Sequence, residues 1–239
     1  MYTIAIIPAK MTSQRFKGKN LKTLCGQPLV YYSIQAAKVA EGIDDVFVSS
    51  ESQAVLDFSS LNGVKTIIRP EHLSSPEITT QAVLTHAYEE IGKKKKQFPD
   101  LVVLLQPTHP LRMPENIAQA VKIMKEHDKF DCLFSLMPTD ELRGTVEGGC
   151  FVSEFNLPRN KSNEPEMFRN TGSFYIFRPG ESFLTPSFFG KNIYPFILER
   201  SPFEIDIDYA SDMELAKCLL DRNKKLFPHF EIQTPLEDE

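Results

Sequence analysis

The sequence predicts an α/β fold, a doubly wound and mostly parallel sheet with helices on both faces and a small insertion. Near-continuous apolar runs alternate with amphipathic ones through the first 136 residues, a pattern typical of parallel strands buried on both faces. A polar, irregular stretch begins after Pro138. With 239 residues, the chain is long enough for one large domain that carries an insertion.

The first half of the chain is predicted to consist of alternating strands and helices. Short apolar runs rich in β-branched residues predict five strands, which are Thr3–Ile7, Val46–Val48, Val64–Ile68, Leu101–Leu105 and Cys132–Leu136. Longer stretches with apolar residues at helical spacing predict four helices between them, which are Leu29–Ala40, Ser52–Leu61, Thr79–Ile91 and Pro114–His127. Pro28 and Pro114 suit the first turn of a helix.

The second half predicts an insertion followed by a return to the main domain. Residues 139–170 are polar and interrupted by Gly and Pro, and two further strands follow over 172–177 and 192–199. A last helix is predicted from Asp208 to Lys224. The expected domains are therefore a nucleotide-binding α/β domain over 1–138 and 196–232, an insertion over 139–195 for dimerisation and acceptor binding, and a flexible tail over 233–239.

Composition narrows the class of partner. The formal net charge is -5, which disfavours a nucleic-acid-binding surface, and no apolar stretch is long enough to span a bilayer. The four cysteines lie far apart and form no C-x-x-C pair, so we expect free thiols in a cytoplasmic protein. The five dispersed histidines disfavour a zinc site.

The most informative segment is the basic loop that follows the first strand. Between Met1 and Lys22 the chain carries several basic residues, and its first acidic residue is Glu41. A strand that leads into a flexible basic loop suits a polyphosphate, because cationic side chains and backbone N–H groups can converge on its oxygens. The loop is not a Walker A motif, since Asn20 follows Gly18-Lys19 where Ser or Thr is required.

Three further clusters lie where a parallel sheet predicts a site. Gln106 follows a buried strand in a turn made rigid by prolines, and its amide can both donate and accept at a base or sugar edge. Arg169 precedes a later strand and can grip a carboxylate or phosphate with two hydrogen bonds. Asp206 and Asp208 project to one side of an extended chain, and paired carboxylates of this kind predict a Mg²⁺ site.

In order along the chain, these motifs resemble those of the acylneuraminate cytidylyltransferases, which include the CMP-sialic acid synthetases and their pseudaminic and legionaminic relatives. The resemblance covers about the first 220 residues. It is carried by Ile7-Pro8-Ala9-Lys10 with Ser13, by Gly18-Lys19-Asn20, by Arg69-Pro70-Glu71-His72-Leu73, by Leu104-Leu105-Gln106-Pro107-Thr108, by Arg169 with Gly172, and by Ile205-Asp206-Ile207-Asp208.

The resemblance implies a Rossmann-like nucleotidyltransferase fold with a dimerisation insertion. It also implies CTP as donor, Mg²⁺ as cofactor, a nine-carbon 2-keto sugar acid as acceptor and a place in glycan biosynthesis. Lys10, Ser13, Lys19 and Asn20 would contact CTP, with Lys10 and Lys19 also catalytic. Arg69, Thr80 and Gln106 would surround the cytidine and its sugar, and Arg169 would face the acceptor. Asp206 and Asp208 would hold Mg²⁺ and take part in catalysis, with Asp208 also a candidate base.

The sequence departs from the family pattern at three places. Lys10 stands where the family usually has Arg, which keeps the charge but loses the two-pronged guanidinium. Gln14-Arg15 replaces the usual Lys-Gly, so Arg15 or Lys17 would have to supply the missing charge. Residues 161–165, beginning with Lys161, occupy the family's R-Q-x-x-P segment near the acceptor. The acceptor is therefore less well specified than CTP.

Two alternatives stay open at the level of sequence. The chain could be a cytidylyltransferase for an eight-carbon 3-deoxy sugar acid, a phosphonate or a polyol phosphate. It could instead be a non-catalytic nucleotide-binding module, although such a module has no need for the carboxylates of both Asp206 and Asp208.

Overall fold

The computed structural model describes residues 1–141, 143–153, 166–180 and 189–230. The strands are β1 (Thr3–Pro8), β2 (Thr23–Leu24), β3 (Gln27–Pro28), β4 (Asp45–Ser50), β5 (Lys65–Ile68), β6 (Leu101–Leu104), β7 (Cys132–Pro138), β8 (Gly144–Glu147), β9 (Cys150–Ser153), β10 (Phe168–Phe177) and β11 (Ile193–Ile197). The helices are α1 (Leu29–Val39), α2 (Gln53–Leu61), α3 (Thr80–Lys95), α4 (Pro114–Glu126) and α5 (Ala210–Arg222).

A mixed sheet forms the centre of the molecule. Within the described residues it has seven strands in the order β11-β7-β10-β6-β1-β4-β5. The pairs β1–β4, β1–β6, β4–β5 and β7–β11 are parallel, whereas β10 runs antiparallel to both of its neighbours. The predicted mostly parallel α/β sheet is therefore confirmed, and β10 is the strand that departs from it.

Helices cover both faces of the sheet because alternate strand residues point to opposite sides. Ala5 and Ile7 of β1 join the apolar cluster that receives buried residues from α1, α2 and α4. Ile4 and Ile6 join the cluster that receives α3. A third cluster packs α5 against the start of α1. This is the doubly wound arrangement that the alternating pattern predicts.

The predicted insertion over 139–195 is wrong in extent. β10 lies inside this range, yet it is inserted between β6 and β7, and β11 forms the edge of the sheet. The alternation along β10 is broken by Gly172, whose φ of +76° lies in the left-handed region, and the register shifts between Asn170 and Tyr175. The strand predicted over 172–177 is the second part of β10; its start at Phe168 and its place in the main sheet were not predicted. The β8–β9 hairpin lies outside the main sheet.

The boundaries of α3 and α5 differ most from the predicted ones. α3 continues to Lys95, beyond the predicted end at Ile91, and places basic residues in its last turn, where they interact favourably with the helix dipole. α5 begins at Ala210 and not at Asp208. The predicted tail over 233–239 lies outside the described residues. No helix in the described ranges is long and apolar enough to cross a membrane, and the four cysteines are unpaired.

Candidate active site

A cavity of about 270 Å³ opens at the carboxyl ends of β1 and β6. Strand order reverses at this point, because β4 and β5 follow on one side of β1 and β6 lies on the other. Ligands of doubly wound sheets bind at such a point. Pro8 ends β1, and Gln106, Pro107 and Thr108 follow β6 closely, so the chain enters the cavity from both strands.

This cavity brings together nine of the ten residues that the sequence predicts as functional. Those lining it are Lys10, Ser13, Lys19, Asn20, Arg69, Thr80, Gln106, Asp206 and Asp208. The tenth, Arg169, lies in a different and more open cavity of about 590 Å³, together with Asp140 and Arg200. The 161–165 segment lies outside the described residues.

The basic loop is fixed at its far end by Lys19. Its ammonium group donates to the carbonyl of Ile207 at 2.8 Å and to Oδ1 of Asp208 at 3.0 Å. A short 3-10 turn begins at Lys19, directly after Gly18 in the left-handed conformation. Next to it, the amide of Asn20 donates to the carbonyl of Lys10 at 2.7 Å, and its Oδ1 is buried without a partner in the described structure.

Arg69 forms the opposite wall and is almost fully buried. Its Nη2 donates to the carbonyl of Ser49 at 2.7 Å and lies 3.9 Å from Oε2 of Glu51. Burial lowers the pKa of Arg69, and the charge of Glu51 partly offsets this effect. The Nε atom has no hydrogen-bond partner among the described atoms. An unsatisfied buried donor is costly, so Arg69 is well suited to a ligand carbonyl or ring nitrogen.

The carboxylates of Asp206 and Asp208 share the cavity but differ in their surroundings. Both oxygens of Asp208 are engaged, Oδ1 by Lys19 at 3.0 Å and Oδ2 by Arg15. Partial burial opposes ionisation of Asp208, but the bonds from Lys19 and Arg15 outweigh it and lower its pKa. The cavity walls partly desolvate Asp206 and raise its pKa, and repulsion from Asp208 adds to this rise. Even so, 55% of the Asp206 side chain stays exposed.

These two carboxylates fit a Mg²⁺ ion that takes its remaining ligands from a bound phosphate. No group of three or more Asp, Glu, His or Cys side chains is arranged as a metal cage within the described part of the chain. Mg²⁺ is commonly held by one or two carboxylates and by substrate phosphates. Asp206 is hydrogen-bonded to Thr108 but has no Lys or Arg partner among the described ion pairs, so part of its carboxylate is available to a cation.

A buried layer supports the turn after β6. Arg112 donates to Oγ of Ser33 at 2.7 Å, to the carbonyl of Ser173 at 2.8 Å and to the carbonyl of Gln106. Burial lowers the pKa of Arg112 to about 9. Arg112 lies in the motif that suggested Gln106, but nothing in the sequence marks it as the residue that fixes the backbone of that turn.

His109 lies in the same turn after β6 as Gln106, and its ring is close to Asp206. Its Nδ1 is 3.1 Å from Oγ1 of Thr108 and 3.8 Å from Oδ1 of Asp206. Burial, together with the charge of Arg112, lowers the pKa of His109 to about 3, so the ring is neutral near pH 7. A Cβ on Gly172 would come within 2.8 Å of this ring, which explains why glycine is required there.

Glu51 is a further residue that sequence reasoning missed. It accepts the backbone N–H of Met11 at 2.7 Å and the hydroxyl of Ser74 at 3.0 Å. It thereby joins the basic loop to the segment that follows Arg69. The only sequence signal was an acid just beyond a buried strand, β4. The apolar wall formed by Leu73, Ile78 and Val83 gave no signal at all, since such residues look like ordinary core.

Arg169 is linked to the acidic segment through Glu204. Burial raises the pKa of Glu204, and Arg112 and Arg169 are among the charges that oppose this rise. Glu204 precedes Asp206 by two residues, so the cation of Arg169 acts on the segment that carries the carboxylate pair. The structure does not place Arg169 in the cavity that holds the other nine residues.

Comparison with known proteins gives a consistent result. A family model described as cytidylyltransferase matches residues 4–168. The chain is 30% identical over 233 residues to a CMP-N,N'-diacetyllegionaminic acid synthase of Legionella pneumophila, covering 94% of this chain and 99% of that protein. It is 29% identical over 231 residues to a pseudaminic acid cytidylyltransferase of Campylobacter jejuni, covering 92% and 96%.

Of two further matches, one covers only half of the relative's length and the other has a lower sequence identity. The chain is 29% identical over 219 residues to an N-acylneuraminate cytidylyltransferase of Escherichia coli, covering 89% of this chain but only 51% of that enzyme, so it spans about half the length of this relative. Among solved structures, a CMP:2-keto-3-deoxy-manno-octonic acid synthetase complexed with CTP superposes with a TM-score of 0.71 at 17% identity, covering 93% of this chain and 99% of that one. At this identity the likeness concerns the fold.

Proposed function

Because the chain belongs to the cytidylyltransferase family, we propose that it transfers CMP from CTP to the anomeric hydroxyl of a sialic-acid-like nine-carbon 2-keto sugar acid and releases pyrophosphate. One observation carries this proposal. A single cavity at the switch point of the sheet combines cationic Lys10 and Lys19 with the carboxylates of Asp206 and Asp208. Such a cavity has complementary groups for a polyphosphate and for a divalent cation.

The basic side of the cavity receives the triphosphate. The acceptor hydroxyl attacks the α-phosphate in line, and negative charge grows on that phosphate and on the departing pyrophosphate. Lys10 and Lys19 stabilise this charge, while Ser13 and Asn20 line the same side. Groups held in place before the reaction stabilise a transition state without reorganisation, and Lys19 is held by two oxygen atoms from the far end of the chain.

The opposite side receives the nucleoside. Arg69 and Gln106 offer polar groups to the base and ribose, and Thr80 at the start of α3 lines the same cavity as the apolar side chains of Leu73 and Ile78. The unpaired Nε of buried Arg69 supports hydrogen bonding to the carbonyl or ring nitrogen of cytosine. A site built around such a group rejects bases that leave it unpaired.

Asp206 and Asp208 would hold Mg²⁺, which when bound neutralises phosphate charge and polarises the reacting phosphoryl group. The sequence puts Asp208 forward as the candidate base. Both oxygens of Asp208 are engaged by Lys19 and Arg15, whereas Asp206 has no Lys or Arg ion-pair partner among the described residues. On this geometry we propose the carboxylate of Asp206 for that role.

The acceptor binds on the side of Arg169 and Glu204. Arg169 would face the carboxylate of the sugar acid, although it lines a neighbouring cavity, so the acceptor would have to reach from there toward Asp206. The nine-carbon class is supported by the relatives matched over nearly their whole length. An eight-carbon acid is the second candidate, since an octulosonate cytidylyltransferase of Anaeromyxobacter is 33% identical over 140 residues.

We also propose that the protein is a cytoplasmic homodimer. An aromatic group on β7, β10 and the following segment, with Phe134, Tyr175 and Phe189 in edge and stacked contact, lies at one side of the sheet, and Phe189 is partly exposed. Exposed apolar surface of this kind commonly forms interfaces, and two-fold dimers are the commonest closed assembly. Light scattering at micromolar concentration should give twice the 27.2 kDa chain mass.

Pyrophosphate release tests the reaction itself. Purified protein is incubated with CTP, Mg²⁺ and, in turn, N-acetylneuraminate, legionaminate, pseudaminate, 3-deoxy-octulosonate, a polyol phosphate and a phosphonate. We expect release with a nine-carbon acid and CTP, and much less when UTP or ATP replaces CTP. Release with only a polyol phosphate or phosphonate, or with none of the acceptors, would contradict the proposal.

A further inference from the structure

The carboxylate of Asp208 is already occupied by two basic side chains from the N-terminal loop. Lys19 contacts Oδ1 at 3.0 Å and Arg15 contacts Oδ2. The backbone N–H of Asp208 donates to the carboxylate of Asp212 at 2.9 Å, so both the side chain and the backbone of Asp208 are held in place. The guanidinium of Arg15 occupies one side of Oδ2, and its positive charge opposes the approach of a divalent cation to that oxygen.

The two basic partners of Asp208 are not equivalent. Only 12% of the Lys19 side chain is exposed, and a second oxygen, that of Ile207, also accepts from it. In contrast, 64% of the Arg15 side chain is exposed, and Asp208 is its one ion-pair partner among the described residues. Exposed ion pairs are weak and are screened by salt. Lys19 is therefore a fixed partner of Asp208, and Arg15 is an exchangeable one.

The position of Arg15 also brings it close to the expected triphosphate. It lines a cavity of about 310 Å³ together with Lys10, Ser13 and Lys19, which belong to the nucleotide cavity as well, and with Asp208 itself. A phosphate in this space would lie within reach of the guanidinium. Arg forms paired hydrogen bonds with phosphate, and a triphosphate carries more negative charge than one carboxylate.

The carboxylate of Asp206 has different contacts from that of Asp208. Its one ion-pair contact among the described residues is with Nδ1 of His109, which at 3.8 Å lies beyond hydrogen-bond distance. The nucleotide-free protein therefore has one carboxylate that is open to a cation and one that is closed by Arg15.

We propose that Arg15 exchanges Asp208 for the triphosphate of the incoming nucleotide, so that the divalent-cation site is completed only when nucleotide is bound. This inference rests on the proposed function, because it takes the polyphosphate and the cation from that reaction. Without nucleotide the protein binds divalent cations weakly. With nucleotide, the guanidinium moves to phosphate oxygens, and Oδ2 of Asp208 becomes available.

Mn²⁺ binding to the nucleotide-free protein tests this exchange without any turnover. The free Mn²⁺ signal in electron paramagnetic resonance gives the dissociation constant for wild type, for Arg15→Ala and for Lys17→Ala. Lys17 is a matched control, since it has the same charge in the same loop and is joined by no ion pair to another described residue. Arg15 is exposed, so its replacement is expected to leave the fold intact.

We expect Arg15→Ala to bind Mn²⁺ about tenfold more tightly than wild type, because a charge in direct contact with the ligand oxygen is removed. Lys17→Ala should change the constant by less than about threefold, because its charge is more distant and screened. Adding CTP should tighten Mn²⁺ binding to wild type and should tighten it much less in Arg15→Ala. Equal effects of the two substitutions, or no effect of either, would overturn the inference.

The outcome is separable from that of the proposed function. If wild type releases pyrophosphate with a sugar acid but Arg15→Ala and Lys17→Ala bind Mn²⁺ alike, the exchange is wrong and the reaction stands. If no acceptor supports turnover but Arg15→Ala alone tightens Mn²⁺ binding, the blocking contact is real and the reaction assigned to the site is wrong.

Discussion

Lys19 and Asp208 meet across a separation of 189 residues, with Nζ of the lysine 3.0 Å from Oδ1 of the aspartate. This contact joins the basic loop after β1 to the acidic segment before α5. Lys19 belongs to the motif that is predicted to bind phosphate, and Asp208 belongs to the motif that is predicted to bind the metal. The contact therefore fixes the spacing between the two halves of the candidate active site.

The first prediction concerns Lys19→Ala. We expect CTP to bind about tenfold more weakly at low ionic strength, because an ammonium group beside the triphosphate is lost and Asp208 is left partly unpaired. The loss should shrink as salt rises, but not vanish, because Lys19 is largely shielded from solvent. Calorimetric titration at two ionic strengths measures both effects.

Lys122→Ala serves as its control, since it removes the same charge from an exposed position on α4. This variant should bind CTP as wild type does. An unchanged dissociation constant for Lys19→Ala at low salt would count decisively against a phosphate-binding role for the loop.

The second prediction compares Asp208→Asn with Asp206→Asn. Both should reduce turnover at saturating Mg²⁺ by at least about a hundredfold, because each removes a charge that faces the reacting phosphate. Only Asp208→Asn should tighten CTP binding measured without metal, because it releases Lys19 and Arg15. Steady-state rates and metal-free titrations distinguish the two variants. Turnover of Asp208→Asn within a few-fold of wild type would refute its assignment as a metal ligand.

The third prediction concerns Glu51, which positions the basic loop through its hydrogen bond with Met11. Glu51→Ala removes the acceptors for Met11 N–H and for the hydroxyl of Ser74, and we expect KM for CTP to rise about tenfold with a smaller change in kcat. In Glu51→Gln the amide oxygen can still accept the N–H of Met11, and the amide NH2 can donate to the hydroxyl of Ser74 in place of accepting from it, so the charge is lost while both partners can remain hydrogen-bonded. Its KM should stay within about threefold of wild type, since Glu51 is 3.9 Å from Arg69. Equal KM values for Glu51→Ala and wild type would show that the loop does not depend on this residue.

The fourth prediction tests the packing of Gly172 against His109. Gly172→Ala combines a positive φ of +76° with a Cβ placed 2.8 Å from the ring. Gly148→Ala has a positive φ of +57° but no atom within 4 Å, so it reports backbone strain alone. We expect Gly148→Ala to lower the free energy of unfolding by about 1 kcal/mol, and Gly172→Ala to lower it by at least about 1 kcal/mol more because of the clash. Urea unfolding measures both; equal losses would mean that the ring moves aside freely.

Much of the fold and the site was predictable because local sequence determines them. Short apolar strands separated by amphipathic helices specify a parallel sheet, and such a sheet gathers its ligand groups at one edge. Lys10, Gln106 and Asp208 lie far apart in sequence, yet all follow or border elements that end at that edge. The comparisons confirm the family to which these motifs pointed.

The remainder depends on tertiary contacts that leave no local pattern. The strand over 172–177 was predicted as part of an insertion because a polar, irregular stretch over 139–170 precedes it, and only its pairing with β6 and β7 shows that it is central. The hydrogen bonds of buried Arg112 and of Glu51 are made with partners that are distant in sequence. Arg169 is predicted to face the acceptor, and it lies on β10 in a cavity separate from the one that holds the other nine residues.

Identification of the reaction product shows whether the protein joins CMP to a sugar acid. CTP, Mg²⁺ and a nine-carbon 2-keto sugar acid are incubated with the protein, and phosphorus NMR and mass spectrometry follow the mixture. We expect one pyrophosphate for each CMP phosphodiester formed at the anomeric carbon, and no product with Asp206→Asn. Pyrophosphate accompanied by free CMP alone, or a product formed only with a polyol phosphate, would contradict this expectation.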